Sequence, residues 1–223
     1  MSSAFPGTPQ VVRGALVVYP TGRSSDQPRT LVFQYNPVEV RRTLADRSPP
    51  GRQGDAGAAR ADAMRVSGPP KETLALSVTM DAVDQYPDAP DGSPVREKGL
   101  LPALALLETL LYPVPDAARE TQRMAARGEA QTQPLEKPAV LAVWGKHRSV
   151  PVKLTSFSVT EQMFDPRLNP IRAKVDLAMD VLADVDVEPG RVEEQAYRAY
   201  QQEKHNLAAM QQERQPVEGP VPG

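Results

Sequence analysis

The chain has 223 residues, 40% apolar but only 5% aromatic, and a formal net charge of −2; this length suits one domain with an aliphatic core, plus insertions or a tail. The near-neutral balance argues against nucleic acid as a main partner, because phosphate-binding chains carry a basic patch or stripe, and the arginines between Arg41 and Arg65 have no interleaved aromatics and read as a solvated loop. The lack of cysteine excludes disulfides, thiolate metal sites and cysteine nucleophiles, while 24 prolines, about twice the usual share of about 5%, demand many loops.

The first ten residues lack the charged and apolar regions of a signal peptide. Residues 11–19 form a β-rich run, closed by the turn Pro20-Thr21-Gly22. Residues 30–43 carry two more strand pieces, with Leu31, Phe33 and Tyr35 on one face, and the Asn36-Pro37 step predicts a bend or bulge between Tyr35 and Val38. Residues 45–70 have no period and read as a mobile loop. Residues 73–83 then alternate: Leu74, Leu76, Val78 and Met80 face one way, and Ala75, Ser77, Thr79 and Asp81 the other, as in a half-buried strand.

Residues 86–94 read as a loop rich in Pro, Asp and Gly. Leu100, Leu104, Leu107 and Leu111 then follow a helical period, with Pro102 suited to the first turn and Pro113 as the stop. This apolar run contains Pro and Glu and is too short to span a bilayer, so no direct membrane insertion is expected. Residues 114–138 read as an insertion loop or as a short exposed helix over 116–127.

Residues 139–182 read as three strands joined by the turns Gly145-Lys146-His147-Arg148 and Asp165-Pro166-Arg167-Leu168-Asn169-Pro170. In the middle strand Val152 and Leu154 set one phase and Phe157 and Val159 the other, which predicts a bulge near Thr155 or Ser156. Pro189-Gly190 breaks the chain before a polar helix over 191–212, whose thin stripe of Ala196, Tyr200, Leu207 and Met210 suits either a partner or loose packing on its own body. Residues 216–223 read as a disordered tail. The short connections favour antiparallel pairing. The expected fold is mainly β, a small barrel or two-sheet sandwich over residues 11–187 with one packed helix, followed by a C-terminal helix and tail over 188–223.

Catalytic chemistry is not evident. His147 sits in a predicted turn and His205 on a polar helix without a second histidine at ligand spacing. Glu161 and Asp165 could form a carboxylate pair, but Asp-Pro is also what a turn requires. Residues 51–54, Gly-Arg-Gln-Gly, lack the end of a phosphate loop, and no nucleophile elbow occurs. No catalytic residue, metal site or cofactor is assigned.

Phe33-Gln34-Tyr35-Asn36-Pro37, the alternating strand 74–80, the helix 100–111 and the block 138–182 together resemble the tube-like baseplate proteins of contractile injection systems, the phage-tail-like particles of bacteria. The most specific stretch runs from Val143-Trp144-Gly145 through Val150-Pro151-Val152 to Phe164-Asp165-Pro166 and Leu168-Asn169-Pro170-Ile171-Arg172-Ala173. The resemblance implies a tail-tube-like barrel of two sheets and one helix. Six copies would form a ring that joins the trimeric spike to the inner tube and initiates it. The implied partners are further copies of the chain, the inner tube protein, the spike protein and baseplate wedge proteins. Assembly would be cytoplasmic, in a particle that the producer retains or releases.

On that basis Ser77, Thr79, Lys174, Asp176 and Asp180 are candidates for the lumen-facing rows. Inter-subunit contacts are expected from Lys146, His147 and Arg148, from the 45–70 loop, and from Tyr200, Leu207 and Met210 on the terminal helix. Many relatives carry a LysM-like module after the tube-like domain; none is expected here after the terminal helix, and a separate subunit is then an expected source of that role. The alternative is a monomeric glycan- or peptidoglycan-binding module. Such sites display aromatic platforms, whereas the aromatics here fall mostly in predicted strands.

Overall fold

The computed structural model describes residues 12–20, 23, 25, 27–47, 68–113, 119, 123–128 and 137–212. Seven strands form one sheet: β1 (Ala15–Tyr19), β2 (Arg29–Val32), β3 (Val40–Ala45), β4 (Lys71–Asp81), β5 (Ala139–Val143), β6 (Ser149–Phe164) and β7 (Pro170–Val181). Among the described residues they are accompanied by α1 (Pro94–Lys98), α2 (Leu101–Thr109) and α3 (Val192–Gln212), with 3-10 turns at Val83–Asp88 and Asp184–Asp186. The fold is mainly β, as expected, and every pairing is antiparallel. The strands belong to a single hydrogen-bonded sheet rather than two. Most of the 45–70 loop, most of the 114–138 insertion and the 216–223 tail lie outside the described residues, as does part of the turn at Pro20-Thr21-Gly22; one helical turn is described at 123–126.

The strand order β2-β1-β5-β6-β7-β4-β3 puts β2 and β3 at opposite edges although they are consecutive in sequence. Flat, the outermost strands of seven would stand about 29 Å apart at about 4.8 Å per gap. The steps from Val32 to Val40 span at most about 29 Å when fully extended, at about 3.6 Å each, yet this connector bends at Gln34, Tyr35 and Val38. The sheet must therefore curl. Leu31, Val32 and Phe33 accordingly line one narrow crevice with Val78, Thr79, Met80 and Leu107.

Each residue of Phe33-Gln34-Tyr35-Asn36-Pro37 serves this closure. Phe33 is 5% exposed and lies against Trp144, with ring centroids 6.1 Å apart. Gly14 fits beneath them because a Cβ there would lie 2.6 Å from the Trp144 ring. The Gln34 amide mimics a strand partner: its Oε1 accepts from Asp81 N at 2.7 Å and its Nε2 donates to Asp81 O at 2.8 Å. Tyr35 OH donates to the Asp84 carboxylate. Asn36 holds the chain entering β1, accepting from Gly14 N at 2.8 Å and donating to Val12 O at 2.9 Å. Pro37 cannot continue a ladder. The strand thus stops at Val32, and the alternation expected through Tyr35 holds only as far as Phe33, with Tyr35 42% exposed. Replacing Gln34 with alanine is expected to lower stability by about 1.5 kcal/mol, since Asp81 loses two part-buried hydrogen bonds and keeps only Gln85 on its carbonyl; urea denaturation measures it.

The core lies on the concave face. Leu74, Leu76, Val78 and Met80 of β4 and Ala173, Val175, Leu177 and Met179 of β7 are buried there with Leu16, Val18 and Val140. Leu104 and Leu107 of α2, with the flanking Leu100 and Leu110, plug this face. The helical stripe was expected to end at Leu111; Leu110 is 3% exposed and Leu111 only partly buried, because the helix stops at Thr109.

Candidate functional site

The opposite face of β4, β7 and β6 carries the polar rows. Register sets Thr79 beside Lys174 and Thr160, Ser77 beside Asp176 and Ser158, Ala75 beside Ala178 and Ser156, and Thr73 beside Asp180 and Lys153. All five lumen candidates fall in these rows: Thr79, Lys174 and Asp176 are exposed, Ser77 and Asp180 half-buried. Charges are paired within the face, with Lys174 Nζ 3.8 Å from Asp176 and Lys71 Nζ 3.9 Å from Asp180. At the end of the rows Arg172 donates from Nε and Nη2 to Asp81 Oδ2 at 2.8 and 2.6 Å.

The bulge makes the rows continuous. Register shifts between Leu154 and Ser156, as expected, and the extra residue Thr155 donates its hydroxyl to Ala178 O at 3.0 Å. Without the extra residue Ser156 would point inward after Leu154. With it, Ser156, Ser158, Thr160 and Gln162 join the polar face while Phe157 and Val159 pack against the core.

The terminal helix departs from expectation. Its first half is fastened to its own chain: Val192, Tyr197 and Tyr200 are 7%, 6% and 5% exposed. The receptor is Glu72, a 3% exposed carboxylate on the inward face of β4. Tyr200 OH and Lys204 Nζ each donate to it at 2.9 Å, and Arg42 Nε lies 3.6 Å away. Tyr200, expected at an inter-subunit contact, therefore faces inward. Its spacing to Lys204, one turn on, puts both on the side that meets Glu72. Tyr197, which sequence reasoning missed, is buried with Tyr200 three residues on, a helical spacing that could have revealed it. Leu207 and Met210 lie beyond the docked portion, 45% and 61% exposed.

Burial and the Glu72 carboxylate push the Tyr200 phenol up to about 12. A group raised in the folded state supports folding fully below its unfolded value, near 10, and that support is lost as pH climbs toward 12. Tyr200 is thus expected to ionise well after free tyrosine in an ultraviolet titration, with α3 loosening in the same range. Ionisation of Tyr200 near pH 10 would contradict the latch.

In the β5–β6 turn, Trp144 N donates to Arg148 O at 2.7 Å. Lys146 is exposed and Arg148 half-buried. His147 Nδ1 lies 2.6 Å from Glu203 Oε1 of the same chain's α3. His205 Nδ1 lies 2.7 Å from Gln201 O. The Asp165 carboxylate serves its turn, accepting from Arg167 N, Asn169 N and Asn169 Nδ2, each at 2.8 Å. These bonds, Asn169's first, hold it below the ordinary carboxylate range. Among the described residues no cluster of three or more potential metal ligands occurs, and no helix is long and apolar enough to cross a membrane.

Residues 13–187 match the model of the contractile injection system tube protein family, and the chain belongs to that family. It is a structural, tube-related component of such a system. A search of the curated proteins finds no match.

Proposed function

We propose that this protein is the baseplate member of the system: a hexameric ring that adapts the trimeric spike to the inner tube and starts the tube. The polar face of β4, β7 and β6 carries the reading. A subunit that packs its core on one side and meets a water-filled channel on the other needs such continuous rows, with Ser77, Thr79, Lys174, Asp176 and Asp180 toward the lumen. Its pairing of charges within the face suits passage better than binding.

Inter-subunit contacts fall to Lys146, Arg148, Leu207 and Met210, whose side chains remain available, while His147 and Tyr200 are engaged within the chain. The edge strands β2 and β3, nearly all exposed, are the natural places for neighbours to join. The partners are the inner tube, the spike and the baseplate wedge, assembled in the cytoplasm without nucleic acid, metal or cofactor. Co-expression with the inner tube and spike proteins, followed by native mass spectrometry, tests this. A complex with the mass of six copies is expected; a monomer that ignores both partners would contradict it.

A further inference from the structure

The β6–β7 hairpin ends in an apolar tip that is exposed among the described residues. Met163 is 59% exposed, Phe164 50% and Leu168 79%. Met163 and Leu168 are also the non-glycine residues with positive φ among the described residues, at +52° and +65°. Left-handed backbone costs an ordinary L-residue about 1 kcal/mol, and glycine or asparagine relieves it.

The turn holds its shape without these side chains. Leu168 N donates to Asp165 O at 2.9 Å and Asp165 N to Asn169 O at 3.0 Å. The tip is anchored to the body where Asn169 Nδ2 donates to Glu97 O at 3.2 Å and Leu100 N to Pro170 O at 2.9 Å. A sequence that keeps Met and Leu where Gly or Asn would fold better keeps their side chains for a contact outside the chain.

We propose that this tip is a preorganised apolar knob that seats in an apolar socket on the adjoining ring of the inner tube, one tip per subunit. This rests on the ring reading above. Area selects the partner. Three part-exposed side chains fall well short of the about 800 Å² per partner of a stable binary interface. A single knob binds too weakly to hold a monomeric protein. Repeated around a ring against a face of matching symmetry, it gains by multivalency.

The double variant Met163→Gly with Leu168→Asn removes both side chains and the backbone strain. The isolated protein is expected to melt roughly 2–4 °C higher, the strain relieved at both positions less the chain freedom that glycine adds, while the yield of particles in which its ring is joined to the tube falls about tenfold or more by electron microscopy. Wild-type yields from the variant would overturn the knob while leaving the ring intact. A lower melting temperature would also overturn it, by showing that the side chains serve their own fold. Absence of the wild-type protein from any particle would instead overturn the ring, and the knob with it.

Discussion

Replacing Leu107 with alanine is expected to lower the unfolding free energy by about 3–4 kcal/mol, the range for a leucine in a core that cannot collapse. Leu107 is 0% exposed and sits on α2, the helix that plugs the concave face. It also lines the crevice at the seam, with Leu31, Phe33, Val78 and Met80 around it. Val78 and Met80 are fixed by the β4–β7 ladder, and Phe33 by its backbone bond to Gly14 O at 2.8 Å. These neighbours cannot move in to fill the space, so the missing methyl groups leave a cavity where the sheet closes. Urea denaturation followed by circular dichroism measures the change, with the slope against denaturant preserved. A loss under about 1 kcal/mol, the size of an exposed change, would mean that α2 is not a core element.

Gly99→Ala is expected to cost about 3 kcal/mol, from backbone strain and a collision together. Gly99 ends α1 with φ +56° and ψ −132°, a combination closed to residues with a Cβ. An added Cβ would stand 2.4 Å from the Pro170 carbonyl oxygen. That oxygen is main chain and accepts from Leu100 N at 2.9 Å, so it cannot swing aside. Relief requires moving α1 and α2 away from the β6–β7 turn, which breaks the tie between plug and hairpin. Thermal unfolding measures the cost, and an unchanged melting temperature would show that the junction is looser than its geometry indicates.

What the sequence revealed follows from periodicity. The clean alternation of β4 and the re-phasing of β6 at Thr155 were both readable because a strand's faces repeat every second residue. The leucine stripe of α2 was readable for the parallel reason at helical spacing. Less legible were features made by contacts between distant segments. Asn36-Pro37 announced a bend, but only the fold shows that Gln34 seals a seam to Asp81. Glu72 interrupts an apolar face and was left outside the expected strand pattern. Its partners lie at Tyr200 and Lys204, beyond any local rule. The thin stripe of the terminal helix suited a partner or loose packing alike, and its firm attachment was hidden because it runs through one buried carboxylate as well as through apolar area. The 3-10 turn at Val83–Asp88 overlaps the expected end of the strand at Val83 and the start of the 86–94 loop, and α1 falls almost wholly past that loop, in residues for which no element was expected.

The family membership and the two-faced sheet converge on a subunit that works by assembly. The position proposed for it is one ring, between spike and tube. The direct measurement is affinity purification of the tagged protein from its native producer, followed by electron microscopy of the eluate with the tag labelled. Tubes or baseplates labelled at one end, at the junction with the spike, are the expected result. Label spread along the length of the tube would contradict the adaptor position and make the protein a repeating tube subunit; an eluate of monomer without particles would contradict the ring altogether.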